Sequence, residues 1–169
     1  VQTCALPIYR GEIDNFASFL RVSCLRYLTL RKSAGDKPVI AMVQGACVAG
    51  GLMLAWICDF IVASDDAFFS DPVVRMGIPG VEYFAHAHEL HPRIAKEFLL
   101  LGERMPAERA YQMGMVNRVV PRAELEDQVY AMAQRMAAQP RLGLALTKMV
   151  VNKAEELQGL RSTMDMAFG

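Results

Sequence analysis

Between Pro38 and Cys58 the chain runs 21 residues without a charge, and the order of its apolar residues changes within that stretch. Val39-Ile40-Ala41-Met42-Val43 is apolar at every position, too short for a helix and opened by Lys37-Pro38, which predicts a strand buried on both faces. Gln44 to Gly51 reads as a turn, and Leu52 to Cys58, apolar on every side, as a helix inside the domain that Asp59 ends. Phe60 to Ala63 is a second buried strand. Strand, glycine turn, buried helix and strand form a crossover unit that builds a parallel sheet, so the class is α/β.

Upstream, Phe16, Phe19, Leu20 and Leu28 among charges predict an amphipathic helix within Arg10 to Arg31. Downstream, Ala67 to Ser70 is a short strand candidate and Gly77-Ile78-Pro79-Gly80 a loop. Pro92 opens a helix with Ile94, Ala95, Phe98 and Leu99 on one face and Gly102 as its stop. Pro106 and Gly114 bracket another. Val116 to Val120 is a small strand, and Leu125, Val129, Met132 and Met136 recur at helical spacing. Pro140 opens a last helix whose inner face is Leu142, Ala145, Leu146, Met149 and Val150. No internal repeat or linker divides the chain.

Composition narrows the function classes. With 53% hydrophobic and 21% charged side chains among 169 residues, the chain can bury one core. Eighteen basic and eighteen acidic residues cancel without forming blocks, so nucleic acid is not an expected partner. Cys4, Cys24, Cys47 and Cys58 have neither CxxC spacing nor metal-type clustering, which fits free thiols in a reducing, cytoplasmic setting. Val1 to Ile8 lacks a basic region and a long apolar run and is expected to be a non-native leader, leaving 9–169 as the domain. The 21-residue uncharged stretch is long enough to span a bilayer, but Gln44-Gly45 and Gly50-Gly51 punctuate it and no basic flank follows, so no membrane partner is expected.

Candidate chemistry centres on Gly45-Ala46-Cys47-Val48-Ala49-Gly50-Gly51. Its last amides stand at a helix N-terminus with N–H groups unpaired, where they can stabilise developing negative charge. The alternative is that small residues only let strand, turn and helix pack closely. The segment is neither GxGxxG nor a phosphate-binding loop, since no Lys-Ser/Thr follows. His86, His88 and His91 do not share a helix face, so no metal site is expected and they read as solvated or capping. Cys47 reads as a small buried apolar residue rather than a nucleophile. Asp71 and Glu82 are the carboxylates of the downstream loop; each reads first as a surface or capping acid, and Glu82 is the stronger catalytic candidate of the two.

Lys37-Pro38-Val39-Ile40-Ala41-Met42-Val43-Gln44-Gly45, with Ala49-Gly50-Gly51 and Cys58-Asp59, resembles the strand, glycine turn and helix of the crotonase (enoyl-CoA hydratase/isomerase) superfamily. Asp71-Pro72 with Gly77-Ile78-Pro79-Gly80 is similar to that family's active-site loop. Residues 100–110 and 114–121 resemble its downstream helix pair. The resemblance runs from about Lys37 to Glu156, and several motifs in one order are more specific than any alone.

The resemblance implies a crotonase-like spiral of ββα units with C-terminal helices, in which backbone N–H groups hold a thioester oxygen as an enolate forms. One donor would be the Gly50 N–H. The other belongs to an upstream Gly-Ala-Asp-like segment that this sequence lacks, which implies a frame incomplete at its N-terminus. Ala49, Gly51, Met53, Pro72, Val73 and Gly80 are expected to line the thioester pocket. The CoA thioester would be substrate, with no further cofactor. Where the family's hydratases carry two glutamates, this chain has Met53 and Val73, which can neither activate water nor protonate carbon. Hydration is therefore not expected, while isomerase or decarboxylase-like chemistry stays open with Glu82 as acid or base. The rival is a non-catalytic acyl-CoA-binding or assembly subunit. A homotrimer or hexamer is implied.

Overall fold

The computed structural model describes residues 2–4 and 37–168; the helix expected within Arg10 to Arg31 lies outside them. Strands β1 (Gln2–Cys4), β2 (Val39–Val43), β4 (Phe60–Ser64) and β7 (Arg118–Val120) form one parallel sheet in the order β1-β2-β4-β7. A second sheet contains β3 (Ala46–Val48), β5 (Phe68–Ser70) and β6 (Met105–Pro106), with β3 parallel to β5 and β6 antiparallel to it. From β2 to β5 consecutive strands alternate between the sheets, and helix α1 (Gly50–Ile57) completes a ββα unit with β2 and β3.

The uninterrupted apolar runs have a direct cause. Along β2 and β4, Ile40 and Val62 pack with Leu125, Val129 and Ala133 of helix α5 (Leu125–Ala137). The alternate residues Ala41, Val43, Ile61 and Ala63 pack toward α1, where Leu52, Met53, Ala55 and Trp56 are buried. Both faces are covered, so polar alternation is absent. The same cluster continues through Phe69 and Met105 into the second sheet.

Two side chains substitute for backbone at strand ends. Asn117 Oδ1 accepts the Ile61 N–H at 2.7 Å, and the Asn117 N–H donates to Ile61 O at 2.9 Å. Asp59 likewise accepts from Val39 N at 2.7 Å and returns its own N–H to Val39 O at 2.9 Å. The same Asp59 oxygen receives Lys148 Nζ at 2.7 Å, which also donates to Lys37 O, so helix α6 (Arg141–Leu157) is tethered to the start of β2.

Between β5 and β6 run a 3₁₀ turn (Pro72–Met76), helix α2 (His86–Glu89) and helix α3 (Pro92–Leu101), which ends at Gly102 with φ of 60°. Helix α4 (Ala107–Gln112) follows β6, and α7 (Leu160–Phe168) ends the described chain. Three expectations change. The turn expected over Gln44 to Gly51 contains β3. The helix opened at Pro140 is followed by α7 and is not the last. Its expected inner face is uncovered: among the described residues α6 buries no side chain, and Leu142, Leu146, Met149 and Val150 are 71, 48, 59 and 62% exposed.

Candidate active site

The turn into α1 rests on Ala49. Its N–H donates to Ser70 O of β5 at 2.9 Å, and its carbonyl accepts the first helical bond from Met53 N at 3.0 Å. Between these anchors its backbone is held at φ 46°, ψ −107°, the only positive φ among the described non-glycine residues. For an L-residue this is a strained conformation, costing about 1–3 kcal/mol and persisting only where surroundings over-determine it. The amides of Gly50, Gly51 and Leu52 precede that first helical bond and so have no partner within the helix. Gly50 is half-buried and Gly51 exposed. A partial positive charge thus accumulates at this end of α1.

Around that turn Ala49, Met53 and Val73 fall within one buried apolar cluster that also holds Cys47 and Val81. Met53 looks inward from the first turn of α1, and Val73 from the 3₁₀ turn. Pro72 beside it is half-buried, and Gly80 is buried. A Cβ on Gly80 would lie 2.6 Å from the Phe84 ring and 3.1 Å from His86 Cε1, so a larger residue there would have to displace the Phe84 ring. Glu82 is half-buried between the buried residues Val81 and Tyr83.

Burial pushes the Cys47 thiol up to about 12, with Cys58 adding to the shift, so at neutral pH it is a protonated, apolar filler. Among the described residues no cluster of three or more histidine, cysteine or acidic side chains is gathered to hold a metal ion. His91 caps α3, its Nδ1 facing Arg93 N at 3.4 Å. His86 and Asp71 depart from the reading as solvated, capping or surface groups: both are 0% exposed, and His86 Nε2 meets Asp71 Oδ2 at 2.8 Å. They stand fifteen positions apart along a 3₁₀ turn and loop, and no sequence pattern announces such a pair.

Comparison with known proteins agrees with this architecture. Residues 16–166 match the family model for enoyl-CoA hydratase/isomerase. The chain is 44% identical over 133 residues to EchA13 of Mycobacterium tuberculosis, a protein named as a candidate enoyl-CoA hydratase, covering 78% of this chain and 42% of that one. It is 40% identical over 126 residues to the carnitinyl-CoA dehydratase of Escherichia coli K12, covering 72% and 48%. Among solved structures, a candidate enoyl-CoA hydratase from Mycobacterium smegmatis superposes with a TM-score of 0.81 at 46% identity, covering 89% of this chain and 63% of that one. The chain thus spans about half the length of the curated relatives it matches. Its alternating two-sheet spiral, its glycine turn at the head of α1 and these matches together make it a member of the enoyl-CoA hydratase/isomerase family, with the crotonase fold.

Proposed function

We propose that this chain handles acyl-CoA by stabilising a thioester enolate without carrying out two-glutamate hydration. The observation that supports this most is the strained Ala49 turn, which leaves the Gly50 N–H outside any helical bond beside an apolar cluster. An amide fixed in advance stabilises charge on a thioester oxygen as it develops, without reorganising during the reaction. The base removes the α-proton, the electron pair moves onto the thioester oxygen facing Gly50, and reprotonation at carbon restores the thioester. Met53 and Val73 are buried and cannot exchange protons; Ala49, Gly51, Pro72 and Gly80 complete the proposed pocket lining. Glu82, half-buried in the loop that follows, is the proposed acid or base. The thioester is the substrate and no other cofactor is required by this scheme.

Deuterium exchange at the α-carbon of butyryl-CoA in D₂O, followed by NMR, reads enolate formation whatever the final reaction. Exchange by the unsubstituted protein should slow about 100-fold in Glu82→Gln, with CoA affinity unchanged. Crotonyl-CoA should not be hydrated. Efficient hydration would refute the scheme, and the absence of exchange with intact acyl-CoA binding would favour a binding subunit.

A further inference from the structure

Asp71 is the first residue after β5, and one of its oxygens joins three segments. Oδ2 accepts the Val81 N–H at 3.0 Å and meets His86 Nε2 at 2.8 Å, in a setting where both side chains are wholly buried. With the imidazole donating from Nε2, this oxygen closes the loop between Asp71 and Val81 at its neck and ties it to the first residue of α2. Aromatic rings fix the other side of His86. Trp56 of α1 stands edge-on at 4.7 Å between centroids, Phe84 is tilted at 4.7 Å, and Phe98 of α3 lies at 6.2 Å. A Cβ added at Gly80 would come within 3.1 Å of Cε1 of the same ring.

Pro72, Val73 and Gly80 all lie inside the closed loop. The residue before Asp71, Ser70, holds Ala49 through its carbonyl. The amide turn and the loop wall therefore hang from adjacent residues of the chain. A buried carboxylate is expensive, and one whose surroundings are only partly satisfied is more so. Here Asp71 Oδ1, His86 Nδ1 and Trp56 Nε1 have no hydrogen-bond partner among the described residues. If close packing were the whole requirement, two apolar side chains would fill this space at lower cost.

Building on the acyl-CoA reading, we infer that Asp71 and His86 are positioning residues that set the 72–80 loop against the Gly50 turn and thereby govern the hold on the acyl group, as distinct from the CoA moiety. Both are buried, and they act through the loop backbone and the aromatic rings around them.

Calorimetric titration with butyryl-CoA and with free CoA tests this in the unsubstituted protein and in Asp71→Ala, His86→Phe and His86→Gln. The unsubstituted protein should prefer butyryl-CoA. Asp71→Ala and His86→Phe should lose about tenfold of that preference while free CoA binds within about twofold of its original affinity. His86→Gln, whose side-chain amide can donate to the same carboxylate oxygen, should recover most of it. Should Asp71→Ala not fold, His86→Phe, an apolar ring in an aromatic setting, decides. Equal weakening of both ligands, or no change in either, would overturn the positioning role alone. Failure of the unsubstituted protein to distinguish butyryl-CoA from CoA would instead remove the acyl-CoA reading and this role with it.

Discussion

Ala49 is asked to do something its side chain resists. A methyl group at φ 46° is tolerated because the Ser70 carbonyl and the Met53 amide pin the residue from both sides. Glycine adopts the same backbone freely but gives up a buried methyl and gains freedom in the unfolded chain, so the two effects oppose. Ala49→Gly should therefore leave unfolding free energy within about 1 kcal/mol in urea titrations. A β-branched side chain has no such compensation, and Ala49→Val should cost about 3 kcal/mol or more by the same measurement. A small loss for valine would mean that the positive φ is not maintained in solution. Residue-scale chemistry was legible at this turn because glycine and alanine crowd it. It was not legible at Asp71 and His86, whose partnership depends on the path of a loop with no period.

At the scale of elements, the buried strands were the most readable part. Val39–Val43 and Phe60–Ser64 are covered by α1 on one face and α5 on the other, so burial itself wrote the apolar runs. β3 escaped because three small residues in a glycine-rich segment carry no strand period; their pairing with Phe68–Ser70 supplies it. For α6 the periodicity gave the helix but could not say what covers its apolar stripe. One tether of that helix is Lys148, whose side chain is 10% exposed and whose ammonium meets Asp59 and the Lys37 carbonyl. Replacing Lys148 with methionine keeps the stem and removes these charge-assisted bonds, an expected loss of about 1–3 kcal/mol. Hydrogen exchange should localise that loss, with amides of α6 exchanging faster while those of β2 and β4 stay protected. Uniform acceleration throughout would show that the tether supports the whole domain instead.

For the whole molecule, the uncovered stripe of α6 extends to Val151 and Leu157, and Met166 of α7 is also exposed. Apolar residues exposed in such a row suit contact with further copies, as the homotrimer or hexamer implied by the resemblance would provide. Leu146→Glu would place a charge in the middle of such a contact. Light scattering should then give a smaller particle for the variant than for the unsubstituted protein at equal concentration. Identical masses would exclude this face from assembly. Among the described residues no helix is long and apolar enough to cross a membrane.

The turn at the head of α1 also bears on how such a protein can diverge. Its proposed charge-stabilising group is a main-chain N–H, which nearly every amino acid supplies, so point mutation can seldom delete it. The proton-transfer groups, by contrast, would be side chains, replaceable one codon at a time, and on the family resemblance Met53 and Val73 would stand at two such positions. A lineage built this way can lose one reaction and acquire another while the capacity to hold a thioester anion passes on unchanged. Selection then acts on the acids and bases around a fixed backbone, and descendants of one ancestor come to share an intermediate more faithfully than they share a product.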